Sequence, residues 1–148
     1  MTDRSFRIEN STQVRATPDE VRRLLADPST WSQWQPEIIS ASGPSPMERG
    51  DVARGEADML GFEMHGHTEA LDVTDEVFEE DVIVGVRMVV RYEVSASSTG
   101  TRVTHRLTAQ LPGGLSGRIL SLFLRPRLRA LQRGVLERLA RQAGPSSS

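Results

Sequence analysis

The chain predicts an α+β fold, in which a curved antiparallel sheet of six or seven strands wraps around a long C-terminal helix, with two short helices after strand 1. Two observations predict it. Between residues 37 and 111 almost every segment alternates like a strand, and only short turns separate these segments. A long amphipathic stretch follows, and no other segment is large enough to cover the apolar face of such a sheet. The length of 148 residues fits one domain.

Strand 1 and the first helix carry clear local signals. Between residues 5 and 16 the apolar side chains occupy even positions, which is typical of a half-buried strand. Thr17 can then cap a helix that has Pro18 at its first position and Glu20 as the acid of a capping box. A second short helix carries Trp31 and Trp34 and ends before a proline.

The remaining strands are predicted from alternation and from the turns between them. They cover residues 37–42, 51–60, 62–73, 77–85, 86–95 and 101–111. Several side chains that share the inward parity of these strands are small, namely Gly55, Ala57, Gly66, Ala70 and Ala109.

The C-terminal helix is predicted from one apolar stripe. Its members recur every three or four residues, at Leu120, Leu124, Leu128, Leu131, Val135 and Leu139. Glycine and proline residues at 112–114 and 144–145 mark its two ends. Pro126 lies inside the stripe, and we expect a kink there because proline removes one helical hydrogen bond.

Composition excludes several classes of site. The chain has no cysteine, which excludes disulfides, thiolate nucleophiles and cysteine-based zinc sites. No phosphate-binding glycine loop is present, so we expect no cofactor. The apolar runs are far shorter than a membrane span needs, and residues 1–4 show no signal peptide. These observations favour a cytoplasmic protein.

Charge is unevenly distributed along the chain. All 18 basic residues are arginine. Residues 112–148 hold seven arginines and one glutamate, whereas the rest of the chain holds eleven arginines and nineteen acids. The chain is acidic overall and its arginines do not alternate with aromatic residues, so nucleic acid is not the expected partner.

Three segments carry a resemblance to a known family. Residues 16–28 match its usual first helix, Trp31, Trp34 and Pro36 match a W-x-x-W-x-P ending, and residues 100–104 match a G-T-R-V-T hairpin. On these segments the chain resembles the START/SRPBCC superfamily, which has the helix-grip fold. The resemblance implies a single domain at residues 5–143, between a disordered start at 1–4 and a disordered tail at 144–148. It also implies an apolar cavity between sheet and helix.

The residues support the same cavity independently, since one helix cannot fill the concave face of a wide sheet lined by small side chains. A core filled by methionine side chains is the alternative. The predicted ligand-binding residues are Trp34, Met59, Met64, Met88, Tyr92, His105 and Phe123.

Polar groups inside the cavity are the candidates for chemistry. Tyr92 and His105 share inward parity, so each is a candidate for ligand contact and a weaker candidate for proton transfer. The alternative for both is a core residue bonded to backbone or water. His65 and His67 lie two apart on one strand, on the solvent side, and make at best a weak metal site.

Three functions follow. The first is binding of a small hydrophobic molecule, which is lipid-like, polyketide-like or aromatic. The second, which the resemblance implies, is a polyketide cyclase/aromatase that acts on a bound polyketide chain. The third is a protein-interaction module that uses the arginine-rich helix face or a sheet edge, with a homodimer as one such assembly.

Overall fold

The computed structural model describes residues 4–59, 61–111 and 115–143, with the side chains at 4, 59, 111, 115–121 and 123 left aside. The strands are β1 (Arg4–Val14), β2 (Ile38–Ser42), β3 (Val52–Met59), β4 (Phe62–Val73), β5 (Val77–Val84), β6 (Val86–Ser97) and β7 (Gly100–Leu111). The helices are α1 (Pro18–Leu25), α2 (Trp31–Trp34) and α3 (Leu115–Ala143), and a short 3-10 turn precedes α2 at Pro28–Thr30. The predicted fold class is confirmed, because seven strands form one curved antiparallel sheet beside a long terminal helix.

The strand order places the two ends of the meander at opposite edges of the sheet. The order is β1-β7-β6-β5-β4-β3-β2, and every neighbouring pair is antiparallel. Because β1 and β2 lie at opposite edges, the segment with α1 and α2 must cross the end of the sheet between them. The register shifts in β2 between Ile38 and Ser40 and in β4 between Ala70 and Asp72. Such bulges bend a strand and add to the curvature of the sheet.

Local signals at α1 act as the sequence predicts. The Thr17 hydroxyl accepts a hydrogen bond from the Glu20 backbone N–H at 3.2 Å, and it donates one to the Glu20 carboxylate. Pro18 stands at the start of α1, where a missing N–H costs nothing. A Trp31 Nε1–H bond to the Leu25 carbonyl, at 3.0 Å, then ties α2 to the end of α1.

Helix α3 packs on β1 and β7 and touches α2. The predicted stripe is buried where its side chains are described, at Leu124, Leu128, Val135 and Leu139, with Leu131 partly buried. The side chain of Leu120 lies outside the described residues. The helix continues through Pro126. Within the part of the chain that the structure describes, no helix has the length and hydropathy to cross a membrane.

Candidate functional site

A cavity of about 100 Å³ lies between the concave face of the sheet and α3. Its wall is mostly apolar, and strands β2 to β7, helix α3 and Trp31 of α2 all contribute to it. The apolar lining includes Trp31, Val82, Val84, Met88, Val90, Leu107, Leu131 and Val135. Apolar cavities of roughly 150 Å³ hold benzene, so a volume of this order suits a ligand of a few carbon atoms.

Small residues on β3 and β4 leave the space open. Ala53, Gly55 and Ala57 face the cavity from β3, and Gly66 faces it from β4. Gly55 and Gly66 are direct partners across the two strands. A Cβ on Gly55 would overlap the Ser40 carbonyl oxygen, so only glycine permits β2 to approach β3 this closely.

Three carboxyl residues line this mostly apolar wall, namely exposed Glu56 at its edge and the more deeply placed Glu37 and Glu80. Glu80 of β5 is 5% exposed, and Glu37, which precedes β2, is half-buried. Burial raises the pKa of Glu80 to about 8; the nearby Thr68 hydroxyl opposes the rise, and the charge of Glu37 adds to it. Burial also raises the pKa of Glu37 to about 7, against its own backbone N–H and the charge of Arg138. Near neutral pH both carboxyls therefore hold much of a proton.

Three oxygen atoms of this group have no hydrogen-bond partner among the described residues. They are Glu37 Oε2, Glu80 Oε2 and Thr68 Oγ1, and each is inaccessible to water. All three residues line the cavity. A buried polar atom without a partner costs free energy, so these atoms are the positions where a polar ligand group would stabilise the site most.

Tyr92 connects the carboxyls to an aromatic cluster. Its ring is 2% exposed and packs edge-on against Trp34 at 6.1 Å and against His105 at 4.8 Å between ring centroids. Burial raises the Tyr92 pKa, and the charges of Glu80 and Glu37 raise it further. Tyr92 thus remains a neutral phenol, and its pKa responds to both carboxyls.

His105 is held neutral by its surroundings. It is 2% exposed, and burial lowers its pKa to about 4. The Gln132 side-chain amide donates to the Ile8 carbonyl at 3.2 Å and to the His105 carbonyl at 3.0 Å, which identifies that atom as nitrogen. The same nitrogen lies 2.9 Å from His105 Nδ1, so Nδ1 accepts and the ring proton resides on Nε2.

The predicted ligand-binding residues divide into three groups. Met88, Tyr92 and His105 meet in the cavity wall. Trp34 and Met64 do not lie in that wall. The side chains of Met59 and Phe123 lie outside the described residues.

Trp34 and Met64 miss the wall for different reasons. Trp34 is fully buried behind Tyr92, and Trp31, one turn earlier on the same helix, takes the wall position. Met64 has inward parity, but it lies beyond the covered part of β4, is 37% exposed and packs on Gly85. Parity identifies a face of a strand, whereas the extent of the covering helix decides which part of that face is enclosed.

The two paired histidines have the outward parity of β4, although His67 also reaches the edge of the cavity. His65 and His67 are exposed, and His65 Nδ1 lies 3.7 Å from the Glu56 carboxylate. Over the described ranges, no three potential metal-ligating side chains come together. The outer face instead carries ion pairs of β5 and β6, such as Arg87 with Asp81 at 2.9 Å.

The sequence-based prediction missed the two carboxyls and Thr68. A signal existed for Glu80, since it shares strand parity with Phe78, Val82 and Val84. Thr68 likewise shares the parity of Gly66 and Ala70. Glu37 is the first residue of the strand predicted over residues 37–42, but the structure places it in the turn after Pro36, one residue before β2 begins.

The family comparison agrees with the fold. Residues 5–144 match the family model described as polyketide cyclase / dehydrase and lipid transport. None of the curated proteins matches the chain.

Solved structures extend that agreement. The Zhui aromatase/cyclase from Streptomyces sp. R1128 has a TM-score of 0.75 at 17% identity, over 95% of this chain and 94% of its own. Protein CV1439 from Chromobacterium violaceum has a TM-score of 0.67 at 15% identity, over 95% and 99%. The di-domain ARO/CYC protein BexL has a TM-score of 0.78 at 14% identity, over 97% of this chain but only 51% of its own. Identities this low establish a shared fold.

Proposed function

Because the chain belongs to the polyketide cyclase / dehydrase and lipid transport family, we propose that it binds a small hydrophobic molecule in the cavity between the sheet and α3. The single observation that carries the proposal is the partly enclosed space of about 100 Å³ with a mostly apolar wall. Such a wall favours an apolar ligand, since burial of its surface removes it from water.

Three side chains are the proposed ligand contacts. Met88 supplies an adaptable apolar surface, and Tyr92 and His105 supply polar edges in the same wall. Trp34 lies outside the cavity wall and packs edge-on against the Tyr92 ring, which restricts the orientation of that ring. Met64 belongs to the proposal only if a ligand extends past Gly85 to the exposed end of β4. Met59 and Phe123 stay predictions.

The size of the cavity limits the affinity. A ligand of about six carbon atoms gains roughly 5 kcal/mol, at about 0.8 kcal/mol for each buried CH₂. Losses of ligand and side-chain freedom reduce this gain. We therefore expect dissociation constants of about 0.2 mM or weaker for molecules that fill the space without opening it.

A cavity-filling variant tests the proposal. Ala57 lies in the cavity wall, so Ala57→Leu should fill part of the space and weaken binding of toluene, measured by NMR titration. Ala96→Leu makes the same change at an exposed position of β6 and should leave binding unchanged. If toluene and benzyl alcohol fail to bind the unmodified protein, or bind both variants equally, the proposal is wrong. If the proposal holds, native mass spectrometry of protein from its own host identifies the ligand that co-purifies with the chain.

A polyketide cyclase/aromatase is the second candidate function. One observation favours it, namely that groups able to exchange protons lie in a single cavity. Glu80, whose pKa is about 8, keeps a proton that it can donate near neutral pH, and Glu37, whose pKa is about 7, is partly ionised and can accept one. The neutral ring of His105 can donate a hydrogen bond through Nε2. A cyclic product of several rings exceeds about 100 Å³, so turnover would require the cavity to open. Absence of turnover on a short polyketide surrogate, or turnover unchanged in His105→Ala, would exclude this function.

A further inference from the structure

The unpartnered oxygens of the cavity point to a particular ligand chemistry. Glu80 and Thr68 are 5% and 6% exposed, and both face the enclosed space. Glu80 Oε2 and Glu37 Oε2 have no hydrogen-bond partner in the described chain, and together with Thr68 these two residues form a polar corner of a mostly apolar wall. The Thr68 hydroxyl acts on the Glu80 carboxyl as a hydrogen-bond donor. A purely apolar ligand would leave the two carboxyl oxygens unsatisfied.

The other titratable groups around this corner do not already neutralise the two carboxyl groups, so a ligand cation can do so. Arg138 of α3 acts on Glu37 through its charge, yet Glu37 Oε2 keeps no hydrogen-bond partner in the described chain. Tyr92 faces both carboxyls and remains a neutral phenol. His105 in the same wall is neutral. Arg54, Glu56 and His67 reach the cavity edge from β3 and β4 and are exposed.

Resting on the proposed function, we infer that the molecule bound in this cavity is a small hydrophobic amine, held as its cation by Glu37, Glu80 and Thr68. A primary ammonium group has three N–H donors, and the two unpartnered carboxyl oxygens of the corner and the Thr68 hydroxyl can each accept from it. Its hydrocarbon part lies against the apolar wall. A carboxylate or phosphate ligand is disfavoured, because its charge would be buried against a mostly apolar wall and would further oppose ionisation of the two carboxyls.

Proton balance makes the inference measurable. The carboxyls carry protons in the free protein near neutral pH, because burial raises their pKa values to about 7 and about 8. An ammonium cation favours their ionised forms, so its binding must release protons to the buffer. A neutral alcohol of the same shape releases none. Affinity for the amine should therefore rise between about pH 6 and pH 8.5, while affinity for the alcohol stays constant.

Isothermal titration of the full chain with benzylamine and benzyl alcohol tests this inference. Titrations in two buffers of different ionisation enthalpy give the number of protons released. At pH 8.5 we expect benzylamine to bind at least about tenfold more tightly than benzyl alcohol, since hydrogen bonds to charged groups are about twice as strong as neutral ones. Glu80→Gln should remove this preference and keep benzyl alcohol binding. The control Glu69→Gln, at an exposed position of β4, should change neither.

The outcomes separate the two proposals. If benzyl alcohol binds as tightly as benzylamine without proton release, the amine inference is wrong and the hydrophobic cavity stands. If neither probe binds, both proposals are wrong. If Glu80→Gln does not fold, the proton release of the unmodified protein and the Glu37→Gln variant decide the question.

Discussion

Ionisation of Glu80 should destabilise the fold as pH rises. Burial raises its pKa from 4.5 to about 8 in the folded protein, so the folded state holds this proton more tightly than the unfolded chain does. The cost of ionisation is absent below pH 4.5, increases up to about pH 8 and is complete above that value. This shift corresponds to about 5 kcal/mol.

Glu37 adds to the same slope over a narrower range. Its folded pKa is about 7, so it contributes between pH 4.5 and about pH 7. Each group changes the free energy of unfolding by about 1.4 kcal/mol per pH unit within its range. Between about pH 7 and pH 8 the remaining slope belongs mainly to Glu80, which makes that interval the most informative.

Glu80→Gln is the perturbation that isolates this effect. The amide keeps the shape of the side chain and cannot ionise, so the variant should lose the slope between pH 7 and pH 8. The measurement is urea unfolding at intervals from pH 5 to pH 9, compared as the difference between variant and unmodified protein at each pH. That difference should move by about 4 kcal/mol in favour of the variant from pH 5 to pH 9, because the slope of about 1.4 kcal/mol per pH unit acts mainly between pH 5 and pH 8.

A control separates burial from general charge. Glu69→Gln removes an exposed acid from β4, and its unfolding profile should run parallel to that of the unmodified protein. If Glu80→Gln also runs parallel between pH 7 and pH 8, Glu80 is already ionised or hydrated in the folded state. The pKa argument for the cavity would then be refuted.

Two other variants and one measurement on the unmodified protein test the packing around the cavity. Gln132→Leu removes the amide that bonds to His105 and to a β1 carbonyl, and it should cost about 3 kcal/mol in urea unfolding because buried acceptors lose their donor. In the unmodified protein, ¹⁵N NMR should find the His105 ring neutral with its proton on Nε2 from about pH 5.5 to pH 8, since burial lowers its pKa to about 4. Gly55→Ala should lower Tm by several degrees, because its Cβ overlaps the Ser40 carbonyl and forces β2 away from β3. An unchanged Tm would contradict this account of the β2–β3 contact.

Much of the fold is predictable from local sequence because its signals are local. The capping residues at Thr17 and Pro18 and the alternation of β1 depend on neighbours within a few positions, and the structure confirms both. The stripe of α3 predicts its buried side from Leu124 onward for the same reason. The bulges of β2 and β4 carry no comparable signal, since they depend on how the whole sheet closes over the helix.

The candidate site is less predictable because it depends on contacts between distant elements. Parity gives Met88, Tyr92 and His105 an inward face, but it gives Met64 the same face, although Met64 is 37% exposed and lies outside the cavity wall. Alternation could have found Glu80, which stands between Phe78 and Val82 on the inward face of β5. The expectation that inward positions are apolar conceals a residue of this kind.

The cost of Glu80 is itself an argument that the cavity has a function. Its inward neighbours on β5 are Phe78 and Val82, and an apolar residue between them would extend the core without any ionisation cost. A second carboxyl, that of Glu37, faces the same space and raises the cost further, because like charges disfavour each other's ionisation. Selection for stability alone would remove both groups, so their presence beside an enclosed apolar space favours a ligand that repays the cost on binding. A small ammonium ion does so directly, since it supplies donors to the free oxygens and offsets the charge that burial opposes.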